Sequence, residues 1–429
     1  MLQRSAKCVV TPGADVSPAD PPTGPVARRW VRLLGGVLAG LCVAAGLTPA
    51  QAQKRYDAGA NDSSVLVGQT LPYSGPASAY GTLGRVEAAY LRKVNDAGGI
   101  LGRRITLISL DDAYSPPKTV EMTRRLVEKD EVLLLFNMVG AATNSAVHNY
   151  VNDRHIPHLL LATGASKFAD PKSFPWSMPG LPTYALETRL YAKHILATRP
   201  RARIAALYQD DDAGRDWMDG LKEGLGAQVG QIVAEASFQA SDATIDSQVI
   251  ALQASGADVL VTMGLPKFGA LAIRKLYDLG WKPTHYMVSV AAQVNATFIP
   301  AGVDKAVGVL SAGTAKDPRD PQWADHPGMK DYLSFMKAYL PAGDPMDGLN
   351  VAGYNSAQIL VQILRQCGDD LTHDNVMRQA ANLHDLQLPM LLPGIAINTS
   401  PTDYLVYKSV QMRRFDGVRL INLGEVIKL

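Results

Sequence analysis

Short apolar runs alternate along the chain with segments in which apolar residues recur every three or four positions. The first such segment carries Leu83, Val86, Tyr90 and Val94, a spacing typical of one face of a helix. The short apolar runs predict strands, at residues 65–70, 105–110, 132–136, 158–161, 204–208, 232–236, 259–263, 285–288 and 308–313. Repeated strand–helix units favour parallel sheets that helices cover on both faces, so the predicted fold class is α/β.

A stretch rich in proline and glycine near residue 180 divides this alternation into two blocks of similar size. Two successive doubly wound blocks predict two similar lobes. The C-terminal part does not follow this alternation of strands and helices. Long helices are predicted at 329–339 and 351–366, and a final hairpin is predicted to turn at Asp416-Gly417. We expect this tail to cross between the lobes and to form part of a hinge.

The first 52 residues have the pattern of a secretory leader. A basic patch at 28–32 precedes an uncharged apolar run at 33–47, and the small-x-small sequence Ala50-Gln51-Ala52 follows it. The apolar run is shorter than the roughly 20 residues that a helix needs to cross a bilayer, which argues against a membrane anchor. We therefore predict a signal peptide and leader over residues 1–52, cleaved after about Ala52, and a periplasmic protein.

Removal of the leader leaves a nearly neutral protein. The whole chain has a net charge of +2, and the leader holds five of its 42 basic and two of its 40 acidic residues, so 37 basic and 38 acidic residues remain. This balance favours binding neither to nucleic acid nor to a membrane surface. Cys367 is the only cysteine after the leader, so neither an intrachain disulfide nor a multi-cysteine zinc site is predicted.

Motifs of enzymatic chemistry are missing from the sequence after the leader. It has no nucleophile elbow, phosphate loop, dinucleotide fingerprint or HExxH motif. The acidic clusters at 111–112 and 210–212 follow predicted strands, where such residues usually cap loops, and His155 and His158 flank a proline that prevents a helical metal pair. The sequence therefore predicts a binding protein that is not an enzyme and uses no cofactor and no metal.

Five segments of the chain together resemble one family of solute receptors. In chain order they are VGQTLPYSGPASAYG, NDAGGILGRRITLISLDDAYSPPKTV, NSAVHNYVNDRHIP, LYQDDDAGRDWMDGLKEGL and ASGADVLVTMG. Over nearly all of residues 63–425, the chain resembles the branched-chain amino-acid (Leu/Ile/Val) binding proteins of ABC importers, which are type I periplasmic binding proteins. The resemblance implies a monomer that binds a small carboxylate ligand and no nucleic acid, and that delivers the ligand to an ABC permease in the inner membrane.

The resemblance also implies an architecture. Two doubly wound α/β lobes are joined by a three-crossover hinge, and the ligand lies in the cleft between them, which closes around it. We assign residues 63–181 and 315–388 to the first lobe, and residues 182–314 and 389–429 to the second. A ligand sensor that passes occupancy to a signalling partner could use the same fold, and it is the alternative function.

Ligands of open parallel sheets bind beyond the carboxyl ends of the strands, which here points to the loops after the predicted strands. Residues 140–143 begin a predicted helix, where free N–H groups and the helix dipole favour an anion. Thr143 can donate from its hydroxyl group, although an ordinary helix cap explains a threonine equally well. The resemblance places Tyr80 over the ligand, with interlobe packing as the alternative. The predicted ligand contacts are Tyr80, Ala141, Ala142, Thr143, Gly164, Ala165, Ser166, Tyr184, Ala213 and Leu265.

Three positions depart from the family pattern. Ala141 replaces a serine contact, Ala213 replaces a tyrosine of the second lobe, and residues 289–293 lack the acid expected to pair with an amino group. An α-ammonium group buried without a counter-charge is strongly unfavourable. The departures therefore favour an organic acid without an amino group, aliphatic or aromatic, and a branched-chain amino acid is the alternative ligand.

Overall fold

The computed structural model describes residues 54–428. In chain order the strands are β1 (Arg55–Tyr56), β2 (Ser64–Leu71), β3 (Arg104–Asp111), β4 (Leu134–Phe136), β5 (His158–Leu161), β6 (Ser177–Pro179), β7 (Ile204–Gln209), β8 (Ile232–Phe238), β9 (Val259–Met263), β10 (Thr284–Met287), β11 (Leu310–Gly313), β12 (Asp370–Leu371), β13 (Ser409–Phe415) and β14 (Leu420–Lys428). The α-helices are α1 (Gly81–Asp96), α2 (Pro116–Arg124), α3 (Ala141–Asp153), α4 (Tyr184–Thr198), α5 (Asp212–Leu225), α6 (Asp246–Ala254), α7 (Pro266–Asp278), α8 (Ile299–Ala301), α9 (Val303–Ala306), α10 (Pro327–Tyr339), α11 (Gly348–Cys367) and α12 (His373–Ala380). The predicted alternation of strands and helices is confirmed.

The first lobe is built on a five-stranded sheet in the order β3-β2-β4-β5-β6. Every neighbouring pair in it is parallel, as repeated strand–helix units require. Helix α1 buries its predicted face, with Leu83, Val86 and Val94 inside the lobe. The half-buried Tyr90 meets Tyr354 of α11 edge-on, with ring centroids 5.2 Å apart, and so fastens α11 to the first lobe.

The second lobe contains a seven-stranded sheet in the order β14-β13-β11-β10-β9-β7-β8. Strands β7 to β11 are parallel to one another, whereas β13 is antiparallel to both β11 and β14. The predicted C-terminal hairpin is therefore confirmed, and it extends one side of this sheet. Trp217 of α5 is fully buried and packs edge-on against Tyr191 of α4, at 5.4 Å between ring centroids.

The chain passes between the two sheets three times. It crosses after Pro179 at the end of β6, after Gly313 at the end of β11, and before Ser409 at the start of β13. These are the three crossovers that the resemblance implies. The lobes are therefore joined by three short segments, which is the connectivity of a hinge.

The segment between α12 and β13 packs in the first lobe, whereas the sequence-based boundary assigns residues 389–429 to the second. Leu391, Leu392 and Ile397 lie in the same apolar cluster as Leu159 of β5. The chain joins the second sheet only with β13. The boundary placed at residue 389 therefore shifts to about residue 408, because the apolar side chains before it fill the first core.

The predicted leader, residues 1–52 with its cleavage site after Ala52, lies outside the described residues. Within residues 54–428, every helix is too short or too polar to cross a bilayer.

Candidate functional site

A cavity of about 210 Å³ lies between the two lobes. Its wall includes residues at the carboxyl ends of strands from both sheets: Asn137 follows β4, Gln209 ends β7, and Gly264 follows β9. Parallel strands end at one edge of each sheet, so the loops that follow them face a shared cleft. The cavity is thus at the position predicted from the order of strands and helices.

Four tyrosines form the aromatic part of the wall, three of them near the strand ends and Tyr407 before β13. Tyr80, Tyr114 and Tyr184 line the cavity and are each less than 10% exposed. Burial raises the pKa of all three hydroxyl groups well above its usual value, so they stay neutral. The Tyr80 hydroxyl donates to the carbonyl oxygen of Val290 at 3.1 Å, which links the first lobe to the second across the cleft.

Helix α3 begins at the cavity. Gly140 precedes it with a φ of +100°, a conformation that side chains rarely adopt, and a Cβ atom there would lie 2.5 Å from the Tyr114 ring. Thr143 donates its hydroxyl proton to the carbonyl oxygens of Val139 and Gly140, so this hydroxyl serves the local backbone. The N–H group of Ala141 is in the first turn of α3 and donates to no residue between 54 and 428, as is usual for the first N–H groups of a helix.

The structure brings half of the predicted contacts into the cavity wall. Those that line it are Tyr80, Ala141, Tyr184, Ala213 and Leu265. Those that do not line it are Ala142, Thr143, Gly164, Ala165 and Ser166.

The residues outside the wall hold other groups in position. Gly164 supports Tyr184, since its carbonyl oxygen accepts from the Tyr184 N–H at 2.7 Å and a Cβ at Gly164 would lie 2.9 Å from the Tyr184 ring. Ser166 lies near the carboxyl group of Asp216 on α5 and does not line the cavity. These residues lie behind the cavity wall and hold the residues of the wall in position.

Two buried carboxyl groups lie just behind the cavity wall. Glu187 of α4 accepts from the Ser289 N–H at 2.7 Å, from the Ser289 hydroxyl at 2.8 Å and from the Tyr191 hydroxyl at 2.5 Å. Glu87 of α1 accepts from the amides of Gln69 and Asn137. Ser289 and Asn137 line the cavity, but neither acid does, so each carboxyl group orients a wall residue instead of facing the ligand.

The hinge end of the cavity carries charged residues that the sequence did not reveal. Lys316, Asp317 and Arg319 line it from the second crossover, and Arg413 lines it from β13. Asp317 is the only acidic residue in the wall among residues 54–428, and both of its oxygens accept backbone N–H groups, from Arg319 at 2.9 Å and from Leu420 at 3.0 Å. No motif marks these positions, because they meet only where the crossovers converge.

Polar contacts join the lobes beside the cavity. The Asp212 carboxylate at the start of α5 accepts from the Ser145 hydroxyl at 2.6 Å and from the Lys167 ammonium at 2.9 Å, both in the first lobe. Arg215 of the second lobe adds a contact at 2.7 Å. Although partial burial opposes it, these hydrogen bonds hold the pKa of Asp212 well below its usual range. The carboxylate therefore stays charged at neutral pH.

A sequence model of the periplasmic binding protein family matches residues 64–404. The chain belongs to the periplasmic binding protein family. The resemblance drawn from the sequence is thereby confirmed, and the two-lobed fold is that of the type I members. Proteins of this family bind substrates and are not enzymes, so the chain is a periplasmic substrate-binding protein of an ABC transporter.

Relatives of this periplasmic binding protein span nearly its whole folded part. It is 22% identical over 363 residues to the Leu/Ile/Val-binding protein homolog 3 of Brucella melitensis, covering 84% of this chain and 94% of the relative. It is 23% identical over 315 residues to the Leu/Ile/Val-binding protein BraC3 of Rhizobium johnstonii, covering 71% of this chain and 80% of the relative.

Two solved structures illustrate the range of ligands on this fold. A branched-chain amino acid ABC transporter protein of Thermus thermophilus with bound valine superposes with a TM-score of 0.77 at 16% identity, covering 86% of this chain and 98% of that one. A fatty acid ABC transporter substrate-binding protein of Thermomonospora curvata gives a TM-score of 0.73 at 18% identity, covering 88% and 95%. At these identities the likeness shows the fold alone.

Proposed function

We propose that this periplasmic binding protein captures an organic acid that carries no α-ammonium group and presents it to the permease of an ABC importer. The observation that carries the proposal is the charge of the cavity wall. Lys316, Arg319 and Arg413 line the wall, whereas Asp317 is its one acid among residues 54–428, and each oxygen of Asp317 accepts a backbone N–H group. A ligand with a negative charge complements such a wall, whereas an ammonium group would meet three cationic residues and a single carboxylate there.

The second-lobe loop at 289–293 supports the same choice. It lacks an acid of its own, and the acid nearest to it in the fold, Glu187, is buried with its oxygens engaged by Ser289 and Tyr191. Recruiting Glu187 to an ammonium group would break these hydrogen bonds inside a buried site. Leaving a buried donor unpaired costs about 1–3 kcal/mol.

The size and polarity of the cavity suit an acid with an apolar body. An apolar cavity of roughly 150 Å³ can hold benzene, and this cavity has about 210 Å³. Ala141 and Ala213 present methyl groups at positions where the family pattern has larger polar side chains. An aromatic acid or an aliphatic acid of medium length fits these dimensions.

We expect benzoate, phenylacetate, hexanoate or octanoate at 1 mM to raise the Tm of the purified protein, and leucine and valine to leave it unchanged. A ligand present at 100 times its Kd stabilises the fold by about 2.7 kcal/mol, which raises Tm by several degrees. The measurement is a thermal-shift panel, and the primary amide of each acid is the uncharged control. Stabilisation by leucine or valine alone would reject the proposal in favour of a branched-chain amino acid.

Closure of the cleft is the second part of the proposal. Tyr80 and Asp212 join the lobes across the cleft, so we infer that the described conformation is the closed one. We expect Asp212→Ala to populate a more open form in the absence of ligand, because it removes the contacts with Ser145 and Lys167. Exposed or half-exposed ion pairs contribute about 0.2–1 kcal/mol each, so the expected loss of acid affinity is roughly 2- to 10-fold.

Small-angle scattering detects the opening. The radius of gyration of Asp212→Ala should be larger than that of the wild type. Glu223→Ala is the matched control, since it removes the ion pair between Arg189 and Glu223, 2.5 Å apart and both in the second lobe. An identical radius of gyration for the Asp212 and Glu223 variants would show that the Asp212 contacts do not hold the lobes together.

A further inference from the structure

Arg413 is a buried cation in the wall of the cavity. It lies on β13, immediately after the third crossover, and is 8% exposed. Its guanidinium group lies over Gly313, where an added Cβ would come within 2.5 Å of Nη1. Gly313 ends β11 at the second crossover and also lines the cavity, so the missing side chain makes room for the guanidinium group.

Among residues 54–428, the charge of Arg413 has no ion-pair partner. Nε donates to the Asn422 amide oxygen at 3.1 Å, Nη2 donates to the Ala315 carbonyl oxygen, and Nη1 donates to no residue between 54 and 428. Asp317 and Asp320 attract the guanidinium group from a distance, but neither forms a salt bridge with it. Burial lowers the pKa of Arg413 to about 10, so the group is still charged at neutral pH.

A tyrosine at the same crossover is also without a partner. Tyr407 lines the cavity and is 6% exposed, and its hydroxyl group makes no hydrogen bond with the described part of the chain. Burial raises the pKa of this hydroxyl well above its usual value, so it is a neutral donor. Both donors belong to residues of the cavity wall and lack a partner among residues 54–428, so a ligand group in the cavity can accept from them.

We propose that Arg413, assisted by the hydroxyl group of Tyr407, binds the anionic group of the ligand at the hinge end of the cavity. The inference rests on the proposed function, because it requires an acidic ligand, and it assigns the position of the acid group. A guanidinium group pairs with a carboxylate through parallel N–H donors, and such pairs are short and strong. The apolar body of the ligand then extends along the cavity toward Tyr80 and Tyr184.

The assigned position couples binding to the hinge. Arg413 and Tyr407 belong to the third crossover and the strand after it, and Gly313 and Ala315 belong to the second crossover. A carboxylate held by Arg413 therefore touches the segments that any rotation of the lobes must bend. A ligand bound only by loops at the cleft would not contact these segments.

The test compares each panel acid with its primary amide, for example benzoate with benzamide and octanoate with octanamide, by isothermal titration. We expect Arg413→Gln to weaken binding of the carboxylate roughly 10- to 100-fold and to leave the affinity for the amide unchanged, since hydrogen bonds to charged groups contribute about 1.5–3 kcal/mol. Arg414→Gln is the matched control, because Arg414 is the next residue on β13 and is exposed. We expect it to bind both ligands as the wild type does.

Tyr407→Phe provides a second variant that removes only the hydroxyl group, and we expect it to weaken carboxylate binding by roughly 2- to 10-fold. Circular dichroism and a thermal melt show whether Arg413→Gln folds. If it does not fold, Tyr407→Phe alone tests the assignment. Undiminished preference for the carboxylate in both folded variants would overturn the assignment while leaving the proposed function intact. Failure of the wild type to bind any acid of the panel would overturn the proposed function and the assignment together.

Discussion

Replacing Gly140 with alanine lowers the free energy of unfolding more than the same replacement of Gly98 and removes ligand binding. The two glycines have nearly the same φ, +100° and +99°. Nothing lies within 4 Å of a Cβ atom at Gly98, whereas a Cβ at Gly140 would lie 2.5 Å from the Tyr114 ring and 2.7 Å from the Thr143 hydroxyl oxygen. The pair of variants therefore separates backbone strain from steric conflict at the cavity.

We expect Gly98→Ala to cost about 1–2 kcal/mol, the usual cost of a left-handed backbone in a residue with a side chain. Gly140→Ala should cost about 1–3 kcal/mol more, because a buried ring and a helix start must move. Urea unfolding measures both losses, and titration with the acid that gives the largest thermal shift measures binding. Equal losses for the two variants, with binding retained in Gly140→Ala, would mean that Tyr114 yields freely and that the start of α3 is not part of the site.

We expect Glu87 to contribute stability that decreases from about pH 5 to pH 8, and Glu87→Gln to remove this contribution. Burial raises the pKa of Glu87 to about 8 from its ordinary value of 4.5, against the opposing hydrogen bonds from Gln69 and Asn137. The folded state therefore keeps a proton that the unfolded chain releases. Stability from this group is fully present below pH 4.5 and is lost as the pH rises toward 8.

A shift of this size corresponds to a loss of roughly 3–5 kcal/mol by pH 8. Urea denaturation at pH 5 and at pH 8 gives the difference in the free energy of unfolding between the two pH values for each variant. The variants are compared by this change with pH and not by their absolute stability. The exposed Glu121→Gln is the control and should keep the wild-type slope. If Glu87→Gln keeps it as well, Glu87 is ionised in the fold, and the amides of Gln69 and Asn137 compensate its burial.

The order of helices and strands is predictable from the sequence because the signal is local. The spacing of Leu83, Val86 and Val94 places three apolar side chains on one face of α1, and the structure buries all three. Residues 65–67 are a continuous apolar run, as expected for a strand covered on both faces, and they lie in β2.

The candidate site is only partly predictable, because its residues come from distant parts of the chain. Ala141 and Leu265 lie at the helix starts that come after β4 and β9, so the rule that ligands bind at strand ends identifies them. The rule also selects Ala142 and Thr143, which the cavity does not reach, since one turn of a helix presents only some of its residues to a given side. Arg413 follows no such rule, because it lies within a strand of the C-terminal hairpin.

The sequence by itself determined which segments become strands and helices and that they form two α/β lobes, since these depend on periodicity and on the chirality of strand–helix units. The tertiary structure alone decided where the tail packs and which charges face the cavity. Residues 389–407 are apolar enough to pack in either core. Only the shape of the first core decides that they pack there. Glu187 meets Ser289 across 102 positions, and Arg413 meets Ala315 across 98, so each pair exists only once distant parts of the chain have folded together.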